Sequence, residues 1–99
     1  MKVVYHPDVE EKIRSLNNSD QSKVIKLVDL FLIHKFSLPG LYLKKISGGI
    51  WELRPGNYRL FFGVISGNMI AVNVFRKTTP KSPLREIKLA IRRLNEYEA

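Results

Sequence analysis

WELRPGNYRLFFGVISGNMIAVNVFRK, residues 51–77, decides the fold. Three runs rich in β-branched and aromatic residues are separated here by Pro55-Gly56-Asn57 and Ser66-Gly67-Asn68. Such runs read as strands, and Gly-Asn between two of them is a strong hairpin signal. Strands are expected over residues 50–54, 58–65 and 69–75, joined as an antiparallel meander. In the middle run the two period-2 faces are Tyr58, Leu60, Phe62, Val64 and Arg59, Phe61, Gly63, Ile65. Both are mostly apolar. This strand is therefore expected to be central and covered on both sides, with Arg59 near an exposed end. Cations punctuate the runs: Arg54, Arg59, then Arg76 beside Lys77. A sheet that carries arginines among its core positions points to a core on one face and an anion on the other.

Working outward, Pro39-Gly40 makes a turn and residues 41–46 read as a further strand carrying Lys44 and Lys45. Ser47-Gly48-Gly49 turns it into the first run above. At the N-terminus, residues 2–5 form a short strand. Pro7 suits the first turn of a helix, and Asp8, Glu10 and Glu11 favour its positive end. Val9, Ile13 and Leu16 give that helix one narrow apolar face, and Asn17-Asn18 ends it. Ser19 or Asp20 is expected to cap a second helix over residues 20–35. Its stripe of Val24, Leu27, Val28 and Phe31 is widened by Ile25, Leu30, Leu32 and Ile33. So apolar a helix either lies deep or offers a second face to a partner. Downstream, residues 78–82 are a loop. Ser82 is expected to cap, and Pro83 to start, a last helix to about residue 98, with Ile87, Ala90, Ile91, Leu94 and Tyr97 on its apolar face. The expected fold is a single α+β domain over residues 1–99: N-terminal strand, helix hairpin, twisted and mostly antiparallel meander, C-terminal helix.

Charge narrows the function. Seventeen Lys and Arg stand against nine Asp and Glu, a net of +8. Residues 1–41 hold six basic and five acidic side chains, whereas residues 42–99 hold eleven basic and four acidic. A basic C-terminal half predicts polyanion binding by counterion release. There is no cysteine, which excludes disulfides and thiolate chemistry and fits a reducing cytoplasm. Pro7 and Asp8 interrupt any apolar signal core, and the run 30–33 is far too short to span a bilayer. His6 and His34 sit apart with no carboxylate at ligand spacing, so no metal or other cofactor is expected. No nucleophile-elbow or Walker-type motif is present.

What remains is the cationic set, and cleavage of RNA needs little more. A 2′-hydroxyl attacks the neighbouring phosphate when the strand is held in line, and Arg and Lys stabilise the charge that builds on the phosphoryl oxygens. Arg54, Arg59, Arg76 and Lys77 are the candidate catalytic residues. Glu52 shares its parity with Arg54 and reads as a surface ion pair, with proton acceptor as the alternative. Trp51, Tyr58 and Phe75 read as core, with base stacking as the alternative.

With these residues in view the chain resembles the RelE/ParE toxin superfamily, nearest the HigB-like, phage-derived branch of type II toxin–antitoxin systems. The resemblance rests on Gly49-Ile50-Trp51-Glu52-Leu53-Arg54, on Tyr58-Arg59-Leu60-Phe61-Phe62, and on Phe75-Arg76-Lys77-Thr78-Thr79-Pro80-Lys81-Ser82-Pro83, continued by Glu86, Ala90 and Tyr97. It implies a cytoplasmic toxin that cleaves mRNA on the ribosome without a metal, leaving a 2′,3′-cyclic phosphate and a 5′-hydroxyl, and that a helix-turn-helix, HigA-like antitoxin silences. On the matching positions Arg54 and Arg59 would contact the scissile phosphate, and Arg76 and Lys77 would hold charge or donate a proton. Lys44, Lys45, Tyr58, Lys81 and Arg85 would hold the RNA. Where the RelE branch carries two lysines, this chain has Ile50 and Glu52. Arginine does not readily give up a proton, so Lys77 or Lys81 is the better acid. The same superfamily hosts gyrase-binding toxins of the ParE kind and permits an inactive RNA- or antitoxin-binding protein, so fold alone does not choose among them.

Overall fold

The computed structural model describes residues 1–81 and 83–98. Its framework is a five-stranded sheet in the order β1-β5-β4-β3-β2, built from β1 (Val3–Tyr5), β2 (Leu43–Ser47), β3 (Ile50–Leu53), β4 (Tyr58–Ile65) and β5 (Asn68–Arg76). β2 to β5 run as the expected antiparallel meander, and β1 joins the far edge of β5 in parallel. No helix among the described residues is long and apolar enough to cross a membrane.

Two helices lie on one face. α1 (Pro7–Ser15) starts where the His6 ring Nδ1 accepts from the Asp8 amide at 3.1 Å. α2 (Asn18–His34) starts two residues before the expected place. Its cap is Asn17, whose side-chain oxygen accepts from the Asp20 amide at 2.8 Å, rather than Ser19 or Asp20. The core beneath this hairpin gathers Val9, Ile13, Val24, Leu27, Val28 and Phe31 against Leu43, Leu53, Leu60, Phe62 and Ala71. The widened stripe of α2 is only half used: Leu30 is 42% exposed and Ile33 70%.

The third helix, α3 (Leu84–Glu98), covers part of the other face. Ser82, the expected cap, lies outside the described residues. Ala90 and Leu94 are buried against Ile50, Phe61, Ile70, Val72 and Phe75. Buried Asn73 fastens the first turn of the helix to the sheet, its side-chain amide donating to the Glu86 carbonyl at 3.1 Å. Arg93 fastens the middle by donating to the Val72 carbonyl at 3.0 Å and to Asp8 at 2.9 Å.

Leu94 sits where β4 has no side chain. A Cβ on Gly63 would lie 2.5 Å from Leu94 Cδ2 and 3.2 Å from the Gly49 carbonyl oxygen. Gly63→Ala is therefore expected to cost about 1–3 kcal/mol, the range for overpacking a core. The check is a urea titration, in which the midpoint falls and the slope stays.

The pairing of β4 with β5 is broken at one point. Phe61 faces Asn73 but Phe62 faces Ala71, so Val72 is an extra residue in β5. Such a bulge shifts the alternation of the strand beyond it. Ile70 and Val72 face α3, and past the bulge Asn73 and Phe75 face it too.

Candidate functional site

The α3 face of the sheet has two halves. Around Ile50, Gly63 and Ile70 it is apolar and roofed by α3. Toward the other ends of β2, β3 and β4 it is polar and open. Register explains which side chains meet there. Leu43 faces Leu53 and Lys44 faces Glu52; Glu52 faces Phe61 and Leu53 faces Leu60. One step further along both pairings sets Tyr42 opposite Arg54, and Arg54 opposite Arg59. The Arg54 amide donates to the Tyr42 carbonyl at 3.0 Å, and Arg59 in turn faces Phe75. Two rows thus run across the sheet on one face, Lys44–Glu52–Phe61–Asn73 and Tyr42–Arg54–Arg59–Phe75.

Two adjoining hollows open on these rows and share Arg54. The first, about 270 Å³, is lined by Lys44, Lys45, Glu52, Arg54, Lys77 and Lys81, with Ile46, Pro80 and Ile87. The second is lined by Leu41, Tyr42, Arg54, Gly56 and Arg59. Lys44, Arg54, Lys77 and Lys81 stand around one carboxylate in the first hollow, while Lys45 lines its wall with its ammonium turned to Trp51, which leaves a strong positive excess for an anion.

Glu52 is not the expected surface ion pair. It is only 2% exposed, because its parity turns it toward α3 beneath the cations. Arg54 Nε stands 3.6 Å from Glu52 Oε1, an ion pair too long for a hydrogen bond. Arg59 curls back on its own turn, its Nη1 donating to the Gly56 carbonyl at 2.9 Å and to the Tyr58 carbonyl at 2.7 Å. Nε of both arginines is buried without a hydrogen-bond partner among the described residues. Burial first, then the charge of Arg54, lowers the pKa of Arg59 against the opposing pull of Glu52. Burial, then Arg59 and Arg54, lowers that of Lys77; Lys44 adds to this, and Glu52 opposes it.

The bulge decides between neighbours that the sequence sets side by side. Lys77 follows Phe75 on the α3 face and enters the first hollow. Arg76 does not. It stands opposite Tyr58, exposed, and lines a separate notch with Asp8, Lys12, Glu86 and Arg93 at the edge of β5. The expected foursome of Arg54, Arg59, Arg76 and Lys77 is thus a threesome. Of the expected RNA-holding residues, Lys44, Lys45 and Lys81 line the first hollow. Arg85 is exposed on the first turn of α3 and lines neither hollow. Tyr58 is 9% exposed and packs in the helix-hairpin core, so its ring offers no face to a base. Phe75, 8% exposed, is core as expected. Trp51 points to the other face, between Phe36 at 4.7 Å and the Lys45 ammonium at 5.7 Å from its ring centre. Among the described residues no three His, Asp or Glu side chains come together as metal ligands would.

The sequence matches a known family. The model of the family described as Phage derived protein Gp49-like (DUF891) matches residues 11–95. The chain belongs to the Gp49-like family. That is a RelE/HigB-type toxin family within the RelE/ParE superfamily, and the Gp49-like chain is accordingly a toxin of the toxin–antitoxin kind. A search of curated protein sequences finds no match. Solved structures share the fold of the Gp49-like chain at low identity. The isolated RelE toxin of E. coli is 15% identical with a TM-score of 0.62, the match covering 94% of this chain and 97% of that one. The archaeal RelE–RelB complex from Pyrococcus horikoshii OT3 gives 14% and 0.62, covering 77% and 93%. The RelBE2 toxin–antitoxin complex from Mycobacterium tuberculosis gives 16% and 0.51, covering 77% and 96%.

Proposed function

We infer that this toxin is an endoribonuclease that grips the scissile phosphate between Arg54 and Arg59. The observation that carries the reading is the pair of buried Nε–H donors on these two guanidinium groups that have no hydrogen-bond partner among the described residues, the Glu52 carboxylate standing 3.6 Å from that of Arg54. A buried donor left unpaired costs about 1–3 kcal/mol. Two of them on one cross-strand row fit an acceptor that arrives from outside, and the excess of positive charge makes that acceptor an anion. A phosphate diester offers two non-bridging oxygens, which planar guanidinium groups hold well.

The chemistry derives from that grip. The 2′-oxygen attacks the adjacent phosphorus, the bond from phosphorus to the 5′-oxygen breaks, and the products are a 2′,3′-cyclic phosphate and a 5′-hydroxyl. Arg54 and Arg59 stabilise the charge on the phosphoryl oxygens as it builds. Lys77, whose ammonium releases its proton more readily than an ordinary lysine, protonates the departing 5′-oxygen. The attacking hydroxyl loses its proton to solvent. Glu52 is too deep to meet the 2′-hydroxyl; it holds Arg54 and balances part of the charge. Lys44, Lys45 and Lys81 hold the RNA backbone on either side. The substrate is mRNA on the ribosome and the silencing partner an antitoxin of the helix-turn-helix, HigA-like kind. Two of the solved neighbours, being complexes of a toxin with its antitoxin, support an antitoxin partner, not its helix-turn-helix type.

Lys77 also predicts a pH dependence. A phosphate beside it opposes the repulsion from Arg59 and Arg54 and raises its pKa toward the ordinary 10.5, so binding takes up a proton. RNA affinity is expected to fall as pH rises through the lowered free-state pKa. Lys77→Arg stays charged and is expected to flatten that part of the profile. Fluorescence anisotropy with a 2′-O-methyl RNA across the alkaline range checks both.

Activity itself is tested by mapping new 5′ ends on a defined mRNA in a cell-free translation reaction. Purified protein is compared with Arg59→Ala and Lys77→Ala, with naked RNA as a second substrate. Ends that appear on translated mRNA and vanish in both variants are expected. Ends on naked RNA as well would keep the nuclease and remove the ribosome. No new ends, with translation intact, would overturn the reading and turn attention to gyrase.

A further inference from the structure

Arginines that grip a phosphate read no base. The second hollow holds a side chain suited to that task. Tyr42 lies at the end of the row Tyr42–Arg54–Arg59, on the same sheet face as the two guanidinium groups. Opposite residues of an antiparallel pair have Cβ atoms about 4.5–5.5 Å apart, so its ring begins beside Arg54. Its place is fixed from both sides: its amide donates to the Pro39 carbonyl at 2.9 Å and its carbonyl accepts from the Arg54 amide at 3.0 Å. Yet the residue is 42% exposed, against 9% for Tyr58 and 8% for Phe75. Leu41 beside it is 70% exposed, and Gly56 leaves the opposite wall low. The result is an open aromatic face one step from the phosphate grip.

We propose that Tyr42 is the base-stacking residue of this site, holding the base of a nucleotide next to the scissile phosphate. The inference rests on the reading of Arg54 and Arg59 as an RNA phosphate site and adds to it a contact with the base. A ring on a fixed backbone adds contact at small entropic cost, and every base has a face to offer it. Tyr42 therefore sets the position of the strand on the arginine row, with broad tolerance of sequence. Once the base is held, the sugar between base and phosphate has little freedom, and its 2′-hydroxyl is kept near the line of attack.

The test compares two strands of equal length and charge: a mixed-sequence 2′-O-methyl RNA, which cannot be cut, and an abasic strand with the same number of phosphates. Affinity of each is measured for the wild type, Tyr42→Ala, Tyr42→Leu, Tyr42→Phe and Arg54→Ala, with a thermal melt of each variant. Tyr42→Ala and Tyr42→Leu are expected to weaken binding of the base-bearing strand by about 5- to 100-fold and to leave the abasic strand unchanged. Tyr42→Phe is expected to bind as the wild type. If Tyr42→Ala and Tyr42→Leu bind both strands as the wild type does while Arg54→Ala weakens both, the stacking role is overturned and the phosphate site stands. If the Tyr42 variants weaken both strands alike, the residue acts on the fold and the proposal is overturned. If Arg54→Ala changes neither strand, the phosphate reading falls and takes this proposal with it.

Discussion

Arg59→Ala is expected to lower the rate of RNA cleavage by about 10²–10³-fold, the usual cost of removing one donor aimed at developing charge. Arg54→Ala is expected to do the same. The physical reason is that each guanidinium carries a buried Nε–H without a hydrogen-bond partner among the described residues, beside the other's charge. In the free protein that arrangement is a cost; with a phosphate between them both donors are satisfied and the repulsion is relieved. The stabilisation grows as charge moves onto the phosphoryl oxygens, which is the condition for lowering a barrier rather than only binding. Arg59→Lys keeps the charge and loses the planar fork, so it is expected to recover only part of the rate. Arg76→Ala is the matched control. It removes a cation of equal charge from the adjacent strand, but one that lines the separate notch with Asp8, Lys12, Glu86 and Arg93, and is expected to leave the rate within a few-fold of wild type. Single-turnover measurement of cut ends on a ribosome-bound mRNA separates these outcomes.

Glu52→Ala carries the second large effect, and it acts on stability. Glu52 is 2% exposed and lies among Arg54, Lys44, Lys77 and Arg59. Removing one member of a buried ion pair costs about 3–5 kcal/mol when both are dry. The Arg54 side chain is 29% exposed, so a loss near the lower end, about 3 kcal/mol, is expected. The same change removes a negative charge from beneath the anion site. RNA binding by the folded variant is therefore expected to tighten while its unfolding midpoint drops. A urea titration together with anisotropy on a 2′-O-methyl RNA shows both, and opposite signs distinguish charge balance from a plain packing role, which weakens both.

Much of this molecule was legible in its sequence. The five strands, the helix hairpin, the terminal helix and the meander follow from turn chemistry and apolar periodicity. Arg54, Arg59, Lys77, Lys44 and Lys81 come together at one end of the sheet, and Lys45 lines the same hollow while its ammonium turns to Trp51. The parts that were not legible depend on two bulges. In β5 nearly every residue is apolar, so period-2 patterning cannot show which face a side chain takes, and the extra Val72 that exchanges Arg76 for Lys77 leaves no mark. In β2 the register slips between Lys45 and Ser47. Without that slip the Ser47-Gly48-Gly49-Ile50 turn would set Arg54 against Leu43; with it Arg54 faces Tyr42. The burial of Glu52 was half visible, since its parity with Arg54 was plain, but nothing in a sequence says that α3 and a ring of lysines will close over it. Tyr58 reads as core from the residues and as RNA-holding from the resemblance; its parity with Leu60 and Phe62 sends its ring into the hairpin core, as the residues said.

On the proposed reading the Nε–H groups of Arg54 and Arg59 receive the phosphate oxygens. Proton–nitrogen spectra of the arginine Nε–H groups, recorded with and without a 2′-O-methyl dinucleotide, test it atom by atom, with Arg→Lys variants giving the assignments. The Arg54 and Arg59 resonances are expected to shift on titration as hydrogen bonds form, while Arg76 and Arg85 stay in place. Movement at Arg76 or Arg85 with Arg54 and Arg59 unmoved would contradict it.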